Sequence, residues 1–383
     1  MTKSALRVGI LVPRFAPFRG GMETYVASAA AALAAEGAEV TVITQAPRSA
    51  ALPRRELCDG YAIERYPLPL GDFFDVSAPA AARAAATPGR FEVVWLHSYH
   101  TPLAWLGAER ATAPVVFTPH YHGVGHTPLR HVLHFAYRPA GRRLMAASRR
   151  VVVDTEAEAR LVLRDFAGQV SAANLVIIPP AVAKPRLGLP RPYADGRVVL
   201  TVARQETYKR TDLLIRAVAR LRDEGEPVHL VVIGDGAALG SLRALTSQLN
   251  ADRTVTFTGF VDEDTLGDWW ASASLYATAS EQEAYGIGLA EALLSGLPVV
   301  ASGIPAHREV ADRAGPRAAV RLCAHTASDS DAASLYAEAI VRMLSTPGSR
   351  TQRAAECALP RSADVGQQLL ATLSAVSQIE SRV

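Results

Sequence analysis

The sequence predicts an α/β protein of two doubly wound domains, each a parallel sheet covered by helices on both faces. Three observations predict it. Short runs rich in Val, Ile and Leu recur through the chain, continuous rather than alternating, as strands buried on both faces require. Amphipathic helical segments separate them, which is the alternation of βαβ units. One break, IPPAVAKPRLGLPRPYADG (178–196), carries five prolines and divides the series in two. Prolines at that density exclude regular structure and leave a semi-rigid connector.

Before the break the expected strands are LRVGILV (6–12), EVTVITQ (39–45), FEVVWLHS (91–98), PVVFTPH (114–120), RVVVDT (150–155) and LVIIPPAV (175–182). After it they are RVVLTVAR (197–204), VHLVVIGDG (228–236), VTFTGF (255–260), LYATAS (275–280) and LPVVAS (297–302). The Ala-rich stretch 27–35 reads as a packed helix, because Glu36 and Gly37 end it well short of the ~20 apolar residues of a membrane span. The expected domains cover residues 1–183, joined by a C-terminal helix at 362–380, and residues 184–361. Ligands of such sheets bind at the carboxyl ends of the strands, where loops meet helix N-termini. Two such domains are expected to face each other across a cleft.

Composition narrows the class. With 49% apolar and 20% charged residues over 383 positions, the chain suits a globular protein with two cores. The N-terminal MTKSALRVGILVPRF stops its apolar run at Pro13 and reads as a first strand rather than a targeting segment. Cys58, Cys323 and Cys357 are odd in number and far apart, with no CxxC, so a reducing, cytoplasmic compartment is expected. Residues 1–183 hold 19 basic and 14 acidic side chains, and the remainder 21 and 23. The excess concentrates between Arg130 and Arg150, where six arginines stand among aromatics with no acid. That stretch suits an anionic membrane surface at the inner face or a phosphorylated acceptor; a solvated arginine face is the plainer account. No nucleic-acid motif accompanies it, so no nucleic-acid partner is expected.

Five segments carry candidate chemistry. In SEQEAYGIGLAE, Glu283 precedes a helix starting near Gly286, and Glu291 lies over a turn inside it. Eight residues at helical rise span about 12 Å, the length of a diphosphate with a ring at each end. Gly286 and Gly288 would let that helix N-terminus approach an anion. The plainer account makes Glu291 an ion-pair partner and the glycines a turn. In VARQETYKRT, Arg204 ends a strand and Lys209 opens the next helix, placing two cations where a departing diphosphate needs them. In FRGGMETYV, Gly20 and Gly21 form a first βα turn, a weak signal alone. In TPHYHGVGH, His120 and His122 end a strand. Seven of ten histidines fall between His97 and His134, yet without nearby carboxylates or cysteines hydroxyl binding suits them better than metal. In VVIGDGAALG, Gly234, Gly236 and Gly240 mimic a nicotinamide fingerprint without its acidic partner. Trp269 and Trp270 read as packing.

In this order, ending in Glu-x7-Glu with EALLSGLPVVAS, the segments resemble the family-4 retaining glycosyltransferases of the GT-B type over nearly the whole chain. The resemblance implies two Rossmann-like domains, the first for the acceptor and the second for a nucleotide-sugar donor, with the last helix crossing back. It implies that Glu291 holds the ribose, and that Glu283, with backbone N–H groups of Tyr285, Gly286, Ile287 and Gly288, holds the donor sugar. Arg204 and Lys209 would neutralise the diphosphate and His120 would face the sugar. Gly234 and the turn at Gly259 and Phe260 would border the nucleotide. Gly20, Gly21, His97 and His122 would border phosphate and acceptor. The implied reaction transfers a hexosyl group with retention to a hydroxyl acceptor in glycolipid, polysaccharide or natural-product biosynthesis. It needs a UDP- or GDP-sugar as co-substrate, no tightly bound cofactor and no divalent metal.

Three departures from the family pattern stand out: IIPPAV replaces Ile-Pro-Asn-Gly-Val, ASGIPAHREV lacks a Gly-Gly before its proline, and Asp154-Thr155 replaces a common serine. The alternatives are a nucleotide-sugar epimerase or hydrolase, acting without an acceptor, and a non-catalytic nucleotide-sugar-binding protein.

Overall fold

A computed structural model of the chain describes residues 5–18, 20–68, 79–121, 123, 128–191, 197–326 and 328–380. The chain divides into two units, Met1–Ala181 with Pro360–Val383, and Val182–Leu359.

The first unit contains β1 (Arg7–Leu11), α1 (Gly21–Ala35), β2 (Glu39–Ala46), β3 (Arg55–Cys58), β4 (Tyr61–Pro67), α2 (Pro79–Ala85) and β5 (Val93–His97). It continues through α3 (Pro102–Arg110), β6 (Val115–Thr118), α4 (Pro128–Ala147), β7 (Arg150–Val153), α5 (Glu156–Asp165) and β8 (Leu175–Ile177). Its sheet runs β3-β4-β2-β1-β5-β6-β7-β8, with β3 antiparallel to β4 and the other neighbours parallel. Val93, Val94, Trp95 and Leu96 are all fully buried. That is the continuous pattern of a strand covered on both faces.

The second unit contains β9 (Arg197–Val202), α6 (Thr211–Asp223), β10 (Val228–Ile233), α7 (Leu239–Gln248), β11 (Val255–Gly259), α8 (Glu263–Ser272) and β12 (Leu275–Thr278). It ends with α9 (Ile287–Leu294), β13 (Val299–Ser302), α10 (Pro305–Arg313), β14 (Val320–Cys323), α11 (Asp329–Leu344) and α12 (Arg350–Glu356). Its sheet is β11-β10-β9-β12-β13-β14, parallel throughout. Alternate strand residues face opposite layers. Val199, Leu230 and Val232 join a core with Leu214 and Val218 of α6 and Ile340 of α11. Val198, Leu200 and Val231 join another with Trp269, Trp270 and Leu289. Trp270 stacks on Tyr276 with ring centroids 5.7 Å apart, so the tryptophan pair is packing.

The last helix, α13 (Ser362–Glu380), belongs to the first unit. Val365, Leu369, Leu373 and Val376 are buried, and Gly366 lies so near α1 that a Cβ there would stand 2.9 Å from the Ala32 carbonyl oxygen. No described helix is long and apolar enough to cross a membrane.

The hairpin β3–β4 and the edge strand β14 were not expected from the apolar runs. Glu64 and Arg65 break the run in β4, yet both are buried. Glu64 meets Arg55 and Arg90, and Arg65 meets Glu56 and the Ala16 and Pro53 carbonyls. The helix α9 opens with Gly286 as its N-cap, so Glu283 stands outside it and the 12 Å helical span does not describe the Glu283–Glu291 interval. Of the basic stretch, α4 carries Pro139 inside it.

Candidate active site

Each sheet reverses its winding once, β2 and β5 flanking β1, and β10 and β12 flanking β9. At such a point the loops leaving adjacent strands part in opposite directions and leave a crevice at their carboxyl ends. Helices after the outer strands β7, β11 and β14 are capped by the side chains of Thr155, Asp262 and Ser328. Helices after β1, β5, β9, β10, β12 and β13 have no side-chain cap. At these central helices the N-cap residue's own side chain supplies no acceptor to the first N–H groups.

In the second unit the loops after β9 and β12 are tied together. Glu281 N–H donates to the Tyr208 carbonyl at 2.8 Å, and Lys209 Nζ donates to Glu283 Oε1 at 2.6 Å. Arg210, at φ +49°, donates to Glu281 (2.9 Å), Asp212 (3.1 Å) and Asp329 of α11 (2.5 Å). Its guanidinium pKa is raised, first by the Asp212 bond. Beneath them Gln205 is fully buried. Its amide donates to the Ala203 and Ile233 carbonyls and accepts from the Thr211 hydroxyl. The loop after β10 joins the end of β11 through Gly234 N–H to the Gly259 carbonyl at 2.8 Å.

Burial pushes the Glu283 carboxyl up, but the Lys209 charge, with hydrogen bonds from Lys209 and Ser280, reverses this and holds its pKa below the usual carboxylate value. Glu283 and Glu291 both bear on one buried hydroxyl, that of Tyr276, whose pKa rises first through burial and then through these two charges. Tyr276 explains Gly288: a Cβ there would stand 2.3 Å from its Oη. Gly286, at φ +104°, would bring a Cβ within 2.9 Å of the His307 ring. Both glycines are therefore required by protein packing, before any ligand is considered. Gly234 and Gly236 likewise admit the loop after β9, since Cβ atoms there would meet the Ala203 carbonyl at 2.0 Å and that of Gln205 at 2.4 Å.

The structure therefore brings Lys209, Glu283 and Glu291 together, with buried Tyr285 and with Ile287 and Gly288 at the start of α9. Arg204, two residues beyond the end of β9, has an exposed side chain. Phe260, after β11, is 57% exposed.

In the first unit, Gly20 is the N-cap of α1, and a Cβ on Gly21 would meet nothing within 4 Å. From the same helix Tyr25 sets its ring edge-on to His120 at 5.0 Å. His97 Nδ1 lies 3.3 Å from His120 Nε2, and His120 Nδ1 lies 3.4 Å from Asp154 Oδ2. His120 thus has a neighbour at each ring nitrogen, at φ +50°. Glu158 accepts from the Tyr121 and Asp154 N–H groups, and burial followed by Asp154 raises its pKa well above the ordinary value. His122 and His126 lie outside the described residues. Among the described residues no three His, Cys, Asp or Glu side chains gather to hold a metal ion.

Residues 20–181 match the family model described as Glycosyl transferase 4-like domain, and residues 196–346 match Glycosyl transferases group 1. The chain belongs to the family-4 glycosyltransferases of the GT-B type. The D-inositol 3-phosphate glycosyltransferase of Xylanimonas cellulosilytica is 29% identical over 336 residues, 76% of this chain and 77% of that protein. The enzyme of that name from Streptomyces bingchenggensis is 28% identical over 379 residues, 86% and 78% of the two chains. Among solved structures, HepE of Anabaena with UDP and glucose matches with a TM-score of 0.71 at 18% identity, over 97% of this chain and 100% of HepE. Sucrose-phosphate synthase from Thermosynechococcus elongatus matches with a TM-score of 0.72 at 19% identity, over 98% of each chain. These two likenesses show the shared fold.

Tyr276, His307, Arg210 and Gln205 carry no motif of their own in this glycosyltransferase. The one hint in the sequence is the Gly286/Gly288 pair, since a glycine kept inside a packed turn often makes room for a large neighbour. Burial lowers the pKa of His97 and His307, with His120 adding to the effect at His97, and lowers that of His229. The fold refuses protons that the unfolded chain accepts below about 6.5. The stability these histidines confer is therefore complete above that pH and lost as the pH falls toward their folded values. Glu158, its pKa raised by burial and Asp154, acts in the opposite sense with one proton against three. Calorimetry is expected to show Tm falling from pH 7 to 5.5; a flat Tm would contradict the buried neutral histidines.

Proposed function

We propose that this glycosyltransferase retains anomeric configuration while moving a hexosyl group from a UDP- or GDP-sugar to a hydroxyl acceptor. The observation that carries the reading is the Lys209–Glu283 pair beside Glu291 at the switch point of the second unit. Lys209 has three N–H donors and gives one to Glu283, leaving others for a diphosphate. Arg204 supplies a second cation. Glu283 accepts from donor-sugar hydroxyls and Glu291 from the ribose, while the N–H groups of Tyr285 to Gly288 meet the anion at the uncapped helix start. Gly234, Gly259 and exposed Phe260 border the nucleotide. In the first unit His120 is assigned to the sugar, and Gly20, Gly21, His97 and His122 to phosphate and acceptor.

The bond from the anomeric carbon to the diphosphate oxygen breaks, that oxygen takes the acceptor hydroxyl's proton, and the acceptor oxygen bonds the anomeric carbon on the same face. In this reading positioning and charge stabilisation do the work, with fixed cations in place of a divalent metal. The curated relatives are named for D-inositol 3-phosphate, and the arginines between Arg130 and Arg150 suit a phosphorylated acceptor or an anionic membrane surface.

A thermal-shift screen of UDP, GDP, ADP and their sugars, with and without inositol phosphate and EDTA, tests this. A ligand at a hundredfold excess over Kd adds about 2.7 kcal/mol of stability, so one nucleotide series is expected to raise Tm by several degrees. NMR of the product's anomeric proton then reads retention. No shift with any nucleotide would reject the reading; donor consumption without acceptor would favour an epimerase or hydrolase.

A further inference from the structure

The third residue of α10, His307, is fully buried and belongs to no part of the site assigned above. Its Nδ1 lies 3.0 Å from the Ser302 carbonyl oxygen and 3.1 Å from the Ser302 hydroxyl. A carbonyl only accepts, so Nδ1 carries the hydrogen. Burial, the largest influence on the ring, keeps it neutral despite Glu283, which leaves Nε2 as a bare lone pair. That Nε2 is buried without a hydrogen-bond partner. It lies 3.3 Å from where a Cβ on Gly286 would stand, facing the cap of α9. The Ser302 hydroxyl, in turn, donates to the Ser280 carbonyl, and Ser280 hydrogen-bonds Glu283. The loop that carries Glu283 is thus bonded to Ser302 at Ser280, and at Gly286 it lies against the imidazole that Ser302 orients, with no space for a side chain between them.

We propose that His307 is a positioning residue for Glu283: with Ser302 it clamps the loop from Ser280 to Gly286 so that the carboxylate meets the donor's sugar. This rests on the site reading above. A neutral ring suits the task, because a cation at this place would compete with Lys209 for Glu283. Only the sugar end of the donor depends on the clamp; the nucleotide end rests on Glu291, Lys209 and Arg204.

The test compares the free nucleoside diphosphate with its sugar on wild type, His307→Leu and His307→Asn, by calorimetric titration and steady-state kinetics. His307→Leu removes the bond to Ser302, whereas His307→Asn keeps an amide N–H near Nδ1. His307→Leu is expected to hold nucleotide affinity within about twofold and to lose at least tenfold in affinity for the nucleotide sugar. His307→Asn is expected to recover most of that loss. Equal losses for nucleotide and nucleotide sugar, or no loss for either, would overturn the proposal. Should His307→Leu fail to fold by circular dichroism, Ser302→Ala carries the same two expectations. If wild type binds no nucleotide at all, the site reading fails first, and the proposal falls with it in a recognisably different way.

Discussion

Replacing Lys209 by alanine is expected to lower kcat/KM by about 10²–10³-fold, the loss typical of removing one preorganised charge from a reacting centre, while the far-ultraviolet spectrum stays unchanged. Lys209 does two things at once. Its Nζ bonds Glu283 at 2.6 Å, with the two side chains only 14% and 19% exposed, and in the proposed reaction its remaining donors meet the leaving diphosphate. Without it, burial acts on Glu283 with less to oppose it, so the carboxyl pKa rises. Residual activity of Lys209→Ala should therefore climb with pH over a range where wild type is flat. Arginine should restore only part of the rate, because its planar fork cannot reproduce a compact ammonium. Activity of Lys209→Ala within twofold of wild type would remove Lys209 from the site.

Gly288→Ala should be nearly as damaging through a different cause. A methyl group there would stand 2.3 Å from Tyr276 Oη and 3.1 Å from Cζ, and Tyr276 is fixed between Trp270 and the end of β9. Overpacking of this kind costs about 1–3 kcal/mol, which lowers Tm by several degrees in a unit of this size. Because the shifted element is the first turn of α9, activity should fall with stability. Tyr276→Phe removes the nearest atom, so the double variant Gly288→Ala/Tyr276→Phe should be more stable than Gly288→Ala alone. If Tm of the double variant instead equals the sum of both single losses, the two residues do not collide.

Much of the fold was legible because buried parallel strands write themselves as unbroken Val, Ile and Leu, as in β5 and β10. The strand β4 was hidden because its burial is achieved with charge. Glu64 and Arg65 look like surface residues until Arg55, Arg90 and Glu56 are found around them. At the candidate site, glutamates at fixed spacing and a rare lysine were visible as types in a pattern. Their supports were not. Arg210 joins Glu281 and Asp329 across 71 and 119 residues, and His307 lies against Gly286 across a helix and a strand. Such partners are set by strand order, which no local pattern encodes.

The chain leaves its first unit at Ala181 and returns to it at Pro360. One unit is therefore a single continuous stretch, whereas the other is assembled from two ends of the polypeptide. During translation the second unit can close as soon as it clears the ribosome, while the first must wait with α1 uncovered until α13 emerges. A stop codon placed at the start of α13 would spare the continuous unit and injure the one assembled from two separate stretches.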